Sequence, residues 1–210
     1  MAFDPALFRA LPPALASTPD TPTPTSKSAW RAWADQQARA VAPHARHTHA
    51  TRLAALASAV AQTGTALVGL YSPIGAEVDT RDLANALIVQ GIAIAYPRLA
   101  PDGTSMDFVR ASGPSALIPR PRSRLLEPEG PALDPGLLDV VLVPALAVHP
   151  AGPRIGRGGG HFDRFLPKLR LDAVAVGVCA AAQVVAWSPV EPHDWPLHAV
   201  ATETGLFRLG

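Results

Sequence analysis

The chain has 210 residues, of which 48% are hydrophobic and 17% charged, so it can bury a substantial core and lacks the composition of a disordered protein. Its formal net charge of +1 provides no general attraction for nucleic acid or for an anionic membrane, so any anion-binding site must be local. The single cysteine, Cys179, excludes an internal disulfide, and its apolar neighbours predict a buried, unreactive thiol in a reducing cytoplasm.

Residues 1–25 are predicted to form a flexible N-terminal lead, and residues 26–210 to form a single domain. Residues 17–26 read STPDTPTPTS, a stretch without apolar periodicity whose prolines disfavour regular structure. The remainder of the chain has the apolar patterning of a folded domain, without an internal repeat. Regular structure is therefore expected from about residue 26 onward.

Two helices are predicted at the start of the domain. The first begins near Ser26, with Ser26 or Thr25 as its N-cap, because apolar residues then recur at helical spacing until Pro43 interrupts the pattern. The second covers residues 48–62, is rich in alanine and ends at Gly64.

Apolar runs alternate with amphipathic segments in the rest of the chain, which is typical of strands buried on both faces of a parallel sheet. The predicted elements are a strand over 65–74, a helix over 79–90, a strand over 91–99 closed by Pro97, a short peripheral strand over 106–111, a proline-rich connection over 112–136, a strand over 137–146, a helix over 161–169, a strand over 172–181 and a last strand within 198–207. This alternation predicts an α/β fold, a three-layer sandwich whose mainly parallel central sheet is flanked by helices. Ligands of such sheets bind at the carboxyl ends of the strands, so the loops after 65–74 and 137–146 are expected to share one edge.

A loop of unusual composition, PRIGRGGGHFDRFL, occupies residues 153–166. Consecutive glycines permit positive φ and let ligand oxygens approach main-chain N–H groups, and the start of the following helix adds partial positive charge. Arg154 and Arg157 supply guanidinium groups suited to phosphate. Asp163 is either a Mg²⁺ ligand or the partner of a salt bridge, for which Arg164 is the nearest candidate. The alternative interpretation is a tight turn followed by a helix cap.

This loop differs from two well-known phosphate-binding patterns. No Gly-Lys-Ser/Thr follows the glycines, as a Walker A loop requires, and the spacing does not match the dinucleotide-binding pattern with its downstream acid. The residues alone therefore indicate a site for a nucleotide or a sugar phosphate together with a metal ion.

Four segments of the chain are similar, in order and spacing, to the sequence blocks of one enzyme family. They read KSAWRAWADQQ, YSPIGAEVDTRDLANALIVQGIAIAYPRL, VPALAVHPAGPRIGRGGGHFDRFL and EPHDWPLHAVATET, and they extend from Lys27 to Glu203. These segments resemble the 5-formyltetrahydrofolate cyclo-ligases, also called methenyltetrahydrofolate synthetases. That family uses MgATP to convert 5-formyltetrahydrofolate into 5,10-methenyltetrahydrofolate, so the resemblance implies ATP and Mg²⁺ as cofactors and a small-molecule folate as substrate.

The resemblance also implies roles for individual residues. Lys27 and Arg31 match a phosphate-binding pair, and their spacing places both on one helical face; the alternative interpretation is an ordinary solvated basic face. Asp163 and Asp194 match the Mg²⁺ ligands, although Asp194 alone would indicate a loop cap. Glu77 matches the glutamate that contacts the pterin, where a carboxylate can accept two hydrogen bonds. The implied substrate set is Glu77, Tyr71 and Ile74, the ATP set is Lys27, Arg31, Arg154, Ile155, Gly156, Arg157, Gly158, Gly159, Gly160, His161 and Phe162, and the catalytic set is Arg157 and His161.

Several positions depart from the family pattern. His161 and Phe162 stand where the family has two tyrosines. The other replaced positions are Ala145, Val148, His149 and His198. We expect these departures to cluster on the folate side of the site. They support a second hypothesis, in which the chain is a non-catalytic or repurposed nucleotide-binding protein of the same fold.

The sequence also bears on partners and location. It has no basic run with interleaved aromatic residues, no stretch approaching the roughly 20 apolar residues of a membrane span, and no basic region followed by an apolar segment at its N-terminus. We therefore expect no nucleic-acid partner, no membrane partner and no signal peptide. A monomer in the cytoplasm is the corresponding expectation.

Overall fold

The computed structural model describes residues 8–16, 24, 26–41, 48–49, 51–53, 57, 64, 66–120, 125–186, 191 and 194–210. The strands are β1 (Arg9–Ala10), β2 (Leu67–Gly69), β3 (Ala93–Leu99), β4 (Met106–Ala111), β5 (Ile118–Pro119), β6 (Leu126–Glu127), β7 (Val140–Pro144), β8 (Ala147–Val148), β9 (Arg154–Ile155), β10 (Val174–Val178), β11 (Ala199–Thr202) and β12 (Gly205–Arg208). The helices are α1 (Pro13–Ala16), α2 (Lys27–Ala40), α3 (Arg81–Val89) and α4 (His161–Phe165), and residues 48–49, 51–53 and 57 are also helical.

Within the described residues, eight strands form one sheet in the order β1-β12-β11-β10-β7-β2-β3-β4. The five central strands, β11, β10, β7, β2 and β3, are parallel to one another. Strand β12 pairs antiparallel with β11, and β4 pairs antiparallel with β3. From β2 the chain moves to β3 on one side, and from β7 it moves to β10 and β11 on the other. The strand order therefore reverses between β2 and β7, which leaves a crevice at the carboxyl ends of these two strands.

Apolar side chains cover both faces of this sheet. On one face Leu83 and Leu87 of α3 pack in a cluster that includes Val140 of β7. On the other face Phe165, at the end of α4, packs in a cluster with Phe108 of β4. Full burial of one such side chain contributes about 1.5–3 kcal/mol. The arrangement confirms the prediction of an α/β three-layer sandwich with a mainly parallel sheet.

Helix α2 begins where the sequence predicts, because the Oγ of Ser26 accepts a hydrogen bond from the N–H of Ala29 at 3.2 Å. Its buried Trp30 packs in a cluster with Leu146, just before β8, and with Ile155 of β9. This packing holds the first turn of α2 near the carboxyl edge of the sheet.

Part of the predicted N-terminal lead belongs to the fold. Strand β1 pairs parallel with β12, and Leu11 and Leu15 pack against the core. A two-residue strand and a single helical turn are too short to produce a recognisable pattern, so the prediction of a flexible lead is wrong for residues 8–16. Residues 1–7, 17–23 and 25 lie outside the described part of the chain.

Strand β3 continues through Pro97 to Leu99, so the prediction that Pro97 closes it is wrong. The strand pairs with β2 only as far as Ala95, which leaves one edge free at Pro97. On its other edge β3 pairs with β4, where Phe108 lies opposite Pro97. The carbonyl of Phe108 accepts a hydrogen bond from the N–H of Leu133, so it points away from β3. The missing N–H of Pro97 therefore breaks no ladder hydrogen bond.

The predicted last strand is in fact the antiparallel hairpin β11–β12. Thr202 Oγ1 accepts a hydrogen bond from the N–H of Thr204, and this local bond favours a turn. Helix α4 has five residues and is followed by the 3-10 turn Leu166–Lys168, so it is shorter than predicted. The connection over 112–136 contains the antiparallel strand pair β5–β6. Some predictions fall on residues outside the described part of the chain, namely Thr25, Pro43, Thr65 and most of the predicted helix over 48–62.

Asp139 joins the amino-terminal ends of the central strands. Its Oδ2 accepts from the N–H groups of Ala66 and Leu67 at 2.7 and 2.8 Å, and its Oδ1 accepts from Arg170 at 2.5 Å. Burial acts to raise the pKa of Asp139, but the hydrogen bonds from Arg170, Ala66 and Leu67 outweigh it and hold the pKa below its ordinary value. The stability that this carboxylate contributes is therefore present above its unfolded pKa and is lost as the pH falls through its folded pKa.

We expect Asp139→Asn to lower the free energy of unfolding at pH 7 by about 1–3 kcal/mol, since the charged acceptor of three hydrogen bonds is lost. The difference from the unsubstituted protein shrinks as the pH falls below about 4. Urea unfolding at several pH values measures both effects. Asp172→Asn, which removes an exposed partner of the same arginine, is the control; a similar loss in that variant would contradict the role given to Asp139.

Candidate functional site

A cavity of about 660 Å³ opens at the carboxyl edge of the sheet, where the strand order reverses. Pro144 at the end of β7 and Tyr71 just after β2 both line it. The sequence-predicted site residues all line this one cavity, namely Lys27, Arg31, Tyr71, Ile74, Glu77, Arg154, Ile155, Gly156, Arg157, Gly158, Gly159, Gly160, His161, Phe162, Asp163 and Asp194. The expectation that the loops after β2 and β7 share an edge is therefore confirmed.

The glycines of the loop meet two local requirements. Gly160 has a φ of 64° as the N-cap of α4, a left-handed conformation that other residues adopt only with strain. A Cβ on Gly159 would lie 2.5 Å from the imidazole of His161, which is too close. Because α4 has only five residues, its dipole is small, and the positive charges at the cavity are those of lysine and arginine side chains.

Arg154 and Asp163 form an ion pair at the base of the loop. Arg154 Nη1 donates to Asp163 Oδ1 at 2.7 Å, and the Arg154 side chain is only 3% exposed. The buried Nε of Arg154 has no hydrogen-bond partner among the described residues, and its guanidinium lies over the ring of Phe162. The partner of Asp163 is thus Arg154 rather than the adjacent Arg164, which instead donates to main-chain carbonyls.

Arg157 and Glu77 connect the glycine loop to the loop after β2. Arg157 Nε donates to Glu77 Oε1 at 2.7 Å, and its Nη2 donates to the carbonyl of Ile74 at 2.8 Å. The second oxygen of Glu77 accepts from the N–H of Ile74 at 2.8 Å. Through these bonds the Glu77 carboxylate connects the two loops. It is 8% exposed and lines the cavity.

Lys27 joins the first turn of α2 to the segment near residue 194. Its Nζ donates to Glu191 Oε2 at 2.6 Å and to the two oxygens of Asp194 at 2.7 and 2.9 Å. Burial acts to lower the pKa of Lys27, but the hydrogen bonds to Asp194 and Glu191 outweigh it, so the pKa is raised and the ammonium stays charged at neutral pH. One turn further along, Arg31 Nε donates to the carbonyl of Gly156 at 3.0 Å.

Tyr71 forms a wall of the cavity. Its hydroxyl donates to the carbonyl of Val78 at 2.9 Å, and the residue is 2% exposed. Burial raises the pKa of this phenol well above its ordinary value, with a further contribution from Glu77, so Tyr71 stays neutral.

An apolar part of the cavity was missed by sequence reasoning. It consists of Pro97, Leu99, Met106, Leu125, Pro144 and Leu146, and the missed polar lining residues are Ser72, Arg164 and Glu191. Most of the apolar residues come from the β3–β4 hairpin and from ordinary strand ends, where no motif identifies them. The position of Leu99 at the carboxyl end of β3 was the available signal.

The other departures from the family pattern do not line this cavity, so the expectation that they cluster on the folate side is wrong for them. Val148 is fully buried in the core, and Ala145 packs in the same cluster. His149 and His198 accept hydrogen bonds from the N–H groups of Ala151 and Ala175. Only His161 and Phe162 of the replaced positions lie at the cavity. Cys179 is buried, as predicted.

Comparisons with known proteins identify the family and the fold of this chain. A sequence model of the 5-formyltetrahydrofolate cyclo-ligase family matches residues 24–203. A 5-formyltetrahydrofolate cyclo-ligase of Mycolicibacterium smegmatis is 30% identical over 194 residues, which cover 89% of this chain and 99% of the relative. The NMR structure of Aquifex aeolicus 5,10-methenyltetrahydrofolate synthetase matches with a TM-score of 0.73 at 25% identity and covers 87% of this chain and 92% of that one. A Mycoplasma pneumoniae 5,10-methenyltetrahydrofolate synthetase shares the fold, with a TM-score of 0.68, 21% identity and coverage of 85% and 99%.

Proposed function

This chain belongs to the 5-formyltetrahydrofolate cyclo-ligase family, and on that premise we propose that its cavity carries out the ATP-dependent cyclisation of 5-formyltetrahydrofolate to 5,10-methenyltetrahydrofolate. The observation that carries the proposal is the lining of the cavity. Its cations come from α2 and the glycine loop, and Pro97, Leu99 and Met106 of the β3–β4 hairpin contribute part of its apolar lining. A triphosphate and an aromatic acceptor require two surfaces of this kind in one crevice.

The cationic side of the cavity suits the phosphates of ATP. Lys27, Arg31, Arg154 and Arg157 all line it, and the glycines leave main-chain N–H groups open to close approach. A guanidinium held in place before the reaction also stabilises charge that develops on the transferred phosphoryl group, which is the role that we assign to Arg157.

The carboxylates of the cavity fit a Mg²⁺ ion only if the phosphates and water supply most of its ligands. Among the described residues, no three His, Cys, Asp or Glu side chains come together as a metal-binding group. Asp163 Oδ2 accepts no hydrogen bond within the described part of the chain, whereas Lys27 occupies both oxygens of Asp194. Asp163 would therefore hold the ion directly, and Asp194 would join it when Lys27 turns to a phosphate. The bound ion would neutralise phosphate charge.

The folate is assigned to Glu77 and the apolar side of the cavity. The Glu77 carboxylate can accept hydrogen bonds from the amino and N–H groups of an aminopyrimidinone ring. Tyr71 and Ile74 flank it, and Leu99 and Met106 provide apolar contact for aromatic rings.

The chemistry that we propose proceeds in two transfers. The formyl oxygen attacks the γ-phosphorus, the bond to the ADP oxygen breaks, and an imidate phosphate forms. The neighbouring amine then attacks the activated carbon and loses its proton, and phosphate departs with the former formyl oxygen. The side chains of the chain act by holding the two substrates in line and by excluding water from the activated intermediate.

The test is an assay for ADP release and methenyl absorbance with MgATP, with and without 5-formyltetrahydrofolate. We expect both signals only when all components are present. Nucleotide binding without folate-dependent ADP release would favour the second hypothesis, a repurposed nucleotide-binding protein, and would contradict the proposed reaction.

The remaining expectations from composition stay predictions. They are a monomeric state, a cytoplasmic location, the absence of a nucleic-acid partner, and a single domain over 26–210. No helix in the described part of the chain is long and apolar enough to cross a bilayer.

A further inference from the structure

The side chain of His161 extends to residues 100–105, which form the tip of the β3–β4 hairpin. Its Nε2 lies 2.9 Å from the carbonyl oxygen of Gly103. A carbonyl oxygen can only accept, so Nε2 carries the proton and donates it to this bond. One of the two ring nitrogens of His161 is therefore engaged with the hairpin tip.

Arg164 makes a second connection to the same hairpin tip. Its Nε and Nη2 both donate to the carbonyl of Thr104, at 3.0 and 2.6 Å, and Nη2 also donates to the carbonyl of Gly159 at 2.6 Å. One guanidinium thus joins the hairpin tip to the glycine loop.

The hairpin tip is a closed turn beside the cavity. Asp102 Oδ1 accepts from the N–H groups of Thr104 and Ser105 at 2.9 and 3.2 Å, which closes the turn. Leu99 and Met106, immediately before and after the hairpin tip, pair across the hairpin and line the cavity. The position of the hairpin tip therefore fixes the apolar wall.

The contact between His161 and Gly159 adds a steric element. The imidazole occupies the space that a side chain at position 159 would need, since a Cβ there would lie 2.5 Å from Cε1 and 2.6 Å from Nδ1. The ring is thereby held between the glycine loop and the hairpin tip.

We propose that His161 and Arg164 are positioning residues, which fasten the β3–β4 hairpin to the ATP loop and so set the affinity of the cavity for the aromatic part of the folate. The inference rests on the proposed function and replaces the catalytic role expected for His161. Without these bonds, the substrate itself would have to order the apolar wall, and that ordering would weaken its binding.

Steady-state kinetics test the proposal with two variants, His161→Leu and Arg164→Met. We expect each to raise KM for 5-formyltetrahydrofolate about 5- to 20-fold, as the loss of one or two hydrogen bonds predicts, with KM for ATP and kcat changed less than about twofold. His161→Gln keeps a donor for the Gly103 carbonyl and is expected to restore most of the lost affinity. Arg39→Met, at an exposed arginine of α2, is the matched control and is expected to leave both KM values unchanged.

Hydrogen exchange provides a readout that needs no turnover. We expect the peptide over 99–106 to exchange at least about fivefold faster in the His161→Leu/Arg164→Met double variant than in the unsubstituted protein, without any ligand. Unchanged exchange in this peptide, or an increase confined to KM for ATP, overturns the proposal. A protein that fails to cyclise the folate but shows the exchange difference would contradict the proposed function while supporting the connection between hairpin and loop.

Discussion

Replacement of Asp163 by asparagine is expected to lower kcat by about 10²-fold or more and to raise the Mg²⁺ concentration needed for half-maximal rate, because metal-assisted charge stabilisation is worth several kcal/mol. We assign Oδ2 of Asp163 to the ion, because its Oδ1 accepts a hydrogen bond from the buried Arg154. An amide in this position keeps the shape of the carboxylate but binds a divalent cation weakly. Titration of the initial rate with Mg²⁺ at saturating ATP measures both effects.

Stability must be separated from catalysis in this variant. Loss of the charge facing the nearly buried Arg154 guanidinium is expected to lower the free energy of unfolding by about 1–3 kcal/mol. Asp163→Glu keeps the charge and should recover part of both properties, and Asp172→Asn, at an exposed acid beside Arg170, should change neither. A folded Asp163→Asn protein that retained more than a third of kcat with an unchanged Mg²⁺ requirement would refute the assignment.

The Lys27→Met variant is expected to raise KM for ATP about 10- to 100-fold, which corresponds to the loss of a charged hydrogen bond worth about 1.5–3 kcal/mol. Lys27 has a second role in the unliganded protein, because it neutralises Glu191 and the nearly buried Asp194. Without the ammonium, these two carboxylates repel each other. We therefore also expect a lower melting temperature at pH 7.

Lys168→Met is the matched control for this experiment, since Lys168 is exposed at the end of the 3-10 turn after α4. It should change neither KM nor the melting temperature. If Lys27→Met bound ATP as tightly as the unsubstituted protein, Lys27 would be a structural residue only, and the phosphates would have to lie elsewhere in the cavity.

Much of the site could be predicted because it depends on signals within short stretches of sequence. Apolar runs identified β7 and β10, and their alternation with helices indicated a parallel sheet, which brings the loops after β2 and β7 to one edge. The glycines of the loop after β9 have a local cause, since Gly160 adopts a positive φ before α4. The family resemblance then supplied residues such as Asp194, whose surroundings in the sequence indicate only a loop.

The pairing of side chains could not be predicted in the same way. Arg164 is adjacent to Asp163 in sequence, but neighbouring residues of a helix point about 100° apart, so Arg164 faces the hairpin tip and Arg154 reaches the carboxylate instead. Leu99 and Met106 become site residues only because β3 extends through Pro97 and carries the hairpin to the crevice. Contacts of this kind depend on tertiary packing, for which sequence spacing gives no signal.

The division of the cavity between two sides of the strand reversal has a consequence for how such proteins diverge. In the function that we propose, the phosphate-binding residues and the apolar wall at Leu99 and Met106 come from separate elements, which His161 and Arg164 join at the hairpin tip. A descendant with a different β3–β4 hairpin would therefore present a different apolar wall to the acceptor, while the glycine loop and its bond from Arg157 to Glu77 stay in place.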